Sequence, residues 1–126
     1  MASYAFDAMD QVLEPYSFVA NRILAGSPVP SKKSFWKASD SSSIHGIWEM
    51  TEGAVERFDA SEMFVVVAGK GVIEFTKSGQ QAALGPGTVV IMTDGDPVTI
   101  TVHETIRKVY VTYSRTHKTL TSRPIC

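Results

Sequence analysis

After residue 43 the chain falls into short apolar runs separated by glycine- and aspartate-containing breaks, a texture of β-strands joined by turns. Ile44–Thr51 is one run, Met63–Ala68 the next and Val72–Lys77 a third. Gly69-Lys70-Gly71 between the last two predicts a hairpin turn. Ser78-Gly79, Gly85-Pro86-Gly87 and Asp94-Gly95-Asp96 are further breaks. They bound a short strand at Gln80–Leu84, a strand at Thr88–Thr93, and a strand at Pro97–His103 that ends in a turn near His103. Ile106–Tyr113 is the last strand. Seven or eight short strands with no helix among them predict an all-β sandwich or barrel. Met63–Ala68 and Thr88–Met92 are apolar at successive positions, so both faces of these strands need cover.

The first 35 residues read differently. Phe6, Met9 and Leu13 stand at helical spacing, so Tyr4–Leu13 is expected to be a short helix ended by Pro15. Arg22–Phe35, with Gly26, Pro28 and Pro30, is expected to be an extended arm or loop, and Ser39–Ser43 a turn. The organisation expected is one domain over 1–126: an arm at 1–35, a barrel core at 43–113 and a polar tail at 114–126. No repeat or low-complexity segment is present.

With 126 residues, 44% hydrophobic and 20% charged, the chain suits a single soluble domain that can bury a core without staples. Twelve basic and thirteen acidic residues give a net charge of −1, and no basic run is longer than a pair such as Lys32-Lys33. Neither nucleic acid nor a membrane is therefore expected as a partner. The single cysteine, Cys126, makes no internal disulfide and reads as a terminal thiol without a catalytic role. No signal peptide or membrane-spanning run is visible, so a cytoplasmic location is expected.

Glu62, six residues of strand and Gly69 resemble half of the first sequence block of the cupins; Gly87, five residues, then Thr93-Asp94-Gly95 resemble half of the second. Gly46-Ile47-Trp48-Glu49, Thr51-Glu52-Gly53, Leu84-Gly85-Pro86-Gly87 and His103–Val111 look like stretches of the small single-barrel cupins related to (S)-ureidoglycine aminohydrolase. The resemblance spans roughly residues 22–113. It implies a double-stranded β-helix, or jelly roll, of RmlC type with a short N-terminal helix or arm.

Cupin metal sites gather two or three imidazoles and a carboxylate. Counting back from Glu62, the first block's histidine positions fall on Glu56 and Phe58, or on Val55 and Arg57 with a loop one residue longer; the second block's falls on Val98. Of the aminohydrolase's ligand set only the glutamate is matched, at Glu56, with Phe58, Glu62 and Val98 at the other positions. His45, His103 and His117 share no ligand spacing and read as surface or hydrogen-bonded residues. The usual metal centre is thus expected to be absent, with no cofactor, although Glu56 and Glu62 leave room for a loosely held divalent cation.

Glu62 shares strand parity with Phe64 and Val66, so an inward Glu62 would lie in an apolar cavity. Lys108, with Tyr110 beside it on one strand face, is a candidate counter-charge, but Val109 and Val111 can equally claim the inner face. The candidate ligand pocket comprises Trp48, Glu56, Phe58, Glu62, Val98, Lys108 and Tyr110. Trp48 reads more readily as core than as a ligand platform. Arg57, Asp59 and Ser61 fall on the expected loop at the barrel mouth. Three functions remain open: a metal-free cupin holding a small polar molecule, an aminohydrolase-like enzyme of ureide or nitrogen metabolism, and a non-catalytic structural or regulatory homodimer.

Overall fold

The computed structural model describes residues 2–19, 22–57 and 61–113. Phe58, Asp59, His117, Cys126 and the tail expected at 114–126 lie outside the described residues. Among the described residues nine strands form one curled sheet: β1 (Glu14–Pro15), β2 (Ile23–Ala25), β3 (Pro30–Lys37), β4 (Ser43–Met50), β5 (Gly53–Arg57), β6 (Ser61–Phe75), β7 (Gln80–Leu84), β8 (Val89–Met92) and β9 (Val98–Tyr113).

Two long strands organise it. β6 and β9 pair antiparallel from Ser61↔Tyr113 to Phe75↔Val98. The second half of β9 also pairs with β4 and the first half with β5, while β6 pairs with β8 and then β7. The outcome is two layers sharing β6 and β9: β1-β3-β4-β9-β6-β8 on one side and β2-β5-β9-β6-β7 on the other. Their inner faces close on Met50, Val55, Phe64, Val66, Ile73, Val90, Val98, Ile100 and Ile106, all buried. The all-β jelly-roll expectation therefore holds.

Five local expectations do not. Gly69-Lys70-Gly71 makes no hairpin; β6 runs straight through it and the register against β9 shifts at Ala68, Lys70 and Gly71. These glycines serve close backbone approach. A Cβ on Gly69 would lie 2.1 Å from the Thr105 carbonyl oxygen, and one on Gly71 2.2 Å from that of Thr101. Gly69 also has φ of +96°, where a side chain is strained. The turn expected at His103 is likewise the middle of β9.

The helix expected over Tyr4–Leu13 is only a 3-10 turn at Ala8–Asp10, capped by the Asp7 carboxylate, which accepts from Met9 N at 2.8 Å. Its apolar stripe finds no shared groove: Met9 is exposed, and Phe6 packs edge-on against Phe35 with ring centroids 4.9 Å apart. Instead the arm runs across the outer face of the barrel. There the guanidinium of Arg107 donates to the carbonyls of Ala8 and Gln11, each at 2.9 Å, and to the carboxylate of Glu49.

The supposed loop over Arg22–Phe35 contains β2 and most of β3. Its prolines are tolerated because Pro28 lies between the two strands and Pro30 is the first residue of β3. β5, which was not expected as a strand, is held by buried Ala54 and Val55 and carries Arg57, expected on a loop.

Candidate functional site

Strand register lays out the interior of the larger layer in three rows. The first runs Lys32, Trp48, Lys108, Val66 across β3, β4, β9 and β6; the second Ser34, Gly46, Tyr110, Phe64, Val90; the third Ile44, Thr112, Glu62, Met92. Lys108 and Tyr110 therefore take the inner face, and Val109 and Val111 the outer. Gly46 makes room for Tyr110: a Cβ there would stand 2.5 Å from the phenol oxygen.

Glu62 and Lys108 are both buried, and their charged atoms meet at 2.6 Å. The remaining carboxylate oxygen faces the Arg57 guanidinium at 3.4 Å. Two ring faces cover the ammonium, with Lys108 Nζ 3.9 Å from the Phe64 centroid and 4.5 Å from that of Trp48. Burial among these rings lowers the Lys108 pKa from its usual 10.5 to about 8, although Glu62 pulls it back upward. Burial also raises the pKa of Tyr110 and of Tyr16, whose hydroxyl accepts the Trp48 indole N–H at 2.8 Å.

This group forms the floor of an open cavity of about 660 Å³. One wall comes from the chain after β1, where Tyr16 and Phe18 pack edge-on. Arg57 sits at the end of β5, not on a loop, opposite Val98 in register. Trp48 is both core and cavity wall.

Of the seven candidate residues, Trp48, Glu56, Glu62, Lys108 and Tyr110 line the cavity. Glu56 does so from a position opposite Thr99, on the face of β5 away from Arg57. Val98 belongs to the packed core and not to the cavity lining; it lies deeper along β9, between β5 and β6. Phe58 lies outside the described residues. Sequence reasoning missed Tyr16, Phe18 and Lys32, and it set Arg57 at the barrel mouth without its contact to Glu62. Only Arg57 left a signal, five residues before Glu62 and one turn of alternation from Val55.

A jelly-roll barrel with its pocket at the mouth of the larger layer defines a small cupin. The EutQ-like cupin domain matches residues 37–110, and the chain belongs to that family. The EutQ protein of Clostridium difficile superposes with a TM-score of 0.60 at 21% identity, covering 80% of this chain and 82% of that one. A Pseudomonas syringae pv. tomato protein of unknown function gives 0.75 at 20% identity, over 84% of this chain and 46% of that chain. A predicted oxalate decarboxylase from Thermotoga maritima gives 0.66 at 12% identity, over 87% and 98%. At these identities the likeness is one of fold. No curated protein matches the sequence.

The described residues do not fit a cupin metal. Among the described residues no three His, Cys, Asp or Glu side chains cluster. Both oxygens of Glu62 already face cations, and Glu56 looks from the opposite strand face, so a divalent ion would meet two fixed positive charges instead of a set of ligands. His45 is tied to Ser43 Oγ at 3.1 Å and packed against Trp36, and His103 is exposed on β9.

Proposed function

We propose that this protein binds a small polar molecule in the barrel cavity through a fixed ammonium–carboxylate pair, without a histidine metal centre. The observation that carries this reading is the Glu62–Lys108 pair, desolvated yet standing at the floor of an open cavity of about 660 Å³. A buried ion pair is poor economy for stability alone, because desolvation consumes most of its Coulomb gain. Its placement beside a cavity supports a role in recognition. The test is a thermal-shift screen of small polar metabolites on wild type and on Glu62→Gln. Hits should stabilise wild type and lose most of their shift in the variant. Hits that keep their full shift in the variant would remove Glu62 from the site.

The stretches Gly46–Glu49 and Glu104–Val111 support kinship with the ureidoglycine aminohydrolase group, and hence the second reading, an enzyme of ureide metabolism. The donor set described above does not favour metal-dependent hydrolysis here.

A homodimer has its own support. On the outer face of the edge strand β8, Val89 and Ile91 are 59% and 65% exposed, and they lie beside half-buried Met63 and Val65. An apolar edge strand of this kind is a self-pairing surface. Light scattering should give twice the chain mass for wild type and the monomer mass for Ile91→Lys. A monomeric wild type would end that reading.

A further inference from the structure

The cavity has a charge bias that the chain as a whole lacks. The chain carries −1, yet five of the side chains lining the cavity are Lys or Arg and only three are Glu. One of those three, Glu62, is already shared between Lys108 and Arg57, so the floor cluster carries one net positive charge. Lys32 stands on the same inner row as Trp48 and Lys108, with its ammonium 4.6 Å above the Tyr16 ring.

Neutral donors add to the bias. The Tyr16 oxygen accepts from the Trp48 indole, which leaves its own proton to point elsewhere. The Tyr110 hydroxyl, accommodated by Gly46, faces the same cavity. Among the described residues, the other acids that line the cavity are Glu14 and Glu56, and neither pairs with Lys32, Arg57 or Lys108. Between the donors lie the rings of Tyr16, Phe18, Trp48 and Tyr110. Oxyanions are recognised by this combination of ammonium, guanidinium and hydroxyl donors, and flat apolar bodies by the aromatic walls.

We infer that the ligand of this cavity carries an oxyanion head, carboxylate or phosphate-like, on an aromatic or apolar body. The inference rests on the reading of the cavity as a ligand site. Lys32, Arg57 and the two tyrosine hydroxyls take the head, and Lys108, held by Glu62, supplies fixed positive potential behind it. A cationic ligand would meet that potential unscreened at the cavity floor.

The experiment is calorimetric titration of the full chain with four probes that share one ring and differ in the head: benzoate, phenylphosphonate, benzamide and benzylamine. One or both of the anions should bind at least tenfold tighter than benzamide, with benzylamine weakest. The better anion identifies the head group. Its affinity should fall as salt is raised, and should drop at least fivefold in Arg57→Gln and in Lys32→Gln, the first partly exposed and the second exposed, neither of them part of the apolar core. Benzamide or benzylamine binding as tightly as either anion overturns the inference and leaves the cavity reading standing. No heat from any of the four overturns both.

Discussion

Replacing Glu62 and Lys108 by methionine, singly and together, tests whether the pair is one unit. Both side chains are almost fully out of solvent, at 3% and 2% exposure, and they touch at 2.6 Å. Removing one member of such a pair strands the other, which costs about 3–5 kcal/mol. Lys108→Met leaves Glu62 with Arg57 still at 3.4 Å, so the loss should sit at the low end, about 3 kcal/mol. Glu62→Met leaves an ammonium whose pKa is already only about 8. That amine can shed its proton at neutral pH for about 1.4 kcal/mol per pH unit, which holds the loss to about 2 kcal/mol. The double variant leaves no fully buried charge unpaired, because Arg57, which loses Glu62, still reaches solvent, and it keeps the volume, so its loss should be only about 2 kcal/mol. The coupling between the two sites is then about 3 kcal/mol. Urea unfolding at pH 7 measures all four corners of the cycle. In thermal melts Lys108→Met should fall by about 12 °C, at roughly 4 °C per kcal/mol for a chain of this length. Losses that add to within about 0.5 kcal/mol would show that the two charges do not depend on each other, and the reasoning would fail.

Lys108 also sets opposite pH trends for stability and binding. Its pKa is lower in the fold than in the unfolded chain, so between pH 8 and 10 the unfolded chain binds more protons and stability should rise with pH. Above pH 10 the raised Tyr16 and Tyr110 pKa values reverse the sign, because the fold then holds protons that the unfolded chain releases. Anion affinity should fall over the same pH 8–10 window as the ammonium is lost; unfolding curves and titrations at pH 7, 8, 9 and 10 check both, and parallel trends would refute the assignment. Gly69→Ala puts a Cβ onto the Thr105 carbonyl at positive φ and should cost about 3 kcal/mol or prevent folding, whereas Gly79→Ala, with open space around it, should cost about 1 kcal/mol; equal losses in urea unfolding would argue against the bulge. Arg107→Ala removes the clasp on the Ala8 and Gln11 carbonyls and should expose amides of residues 4–13 to hydrogen exchange while leaving β6 and β9 protected; unchanged exchange in the arm would show that it is held elsewhere.

Much of the barrel was legible because alternation is a local property. Glu62, Phe64 and Val66 share a face by parity, and the structure places that face inward. Parity cannot say which of two apolar-compatible faces is inside, so Lys108 against Val109 stayed open. What decides it is non-local: Glu62 on β6 offers the carboxylate, Trp48 on β4 and Phe64 on β6 the ring faces, all brought together by register. Gly69-Lys70-Gly71 misled because glycine serves turns and close approach alike, and only the position of Thr105 and Thr101 across the sheet tells them apart. β5 was hidden by its length and by Arg57, which read as a loop charge until the partner strand is known. Tyr16 was invisible as a site residue, since its hydroxyl meets Trp48 across 32 residues of chain.

Soaking crystals of the protein in manganese and collecting anomalous diffraction asks directly whether ammonium or metal holds the barrel floor. We expect no anomalous peak within bonding distance of Glu62, and Lys108 Nζ still against its carboxylate near 2.6 Å. A manganese ion bound by Glu62 with the lysine swung aside would contradict the account.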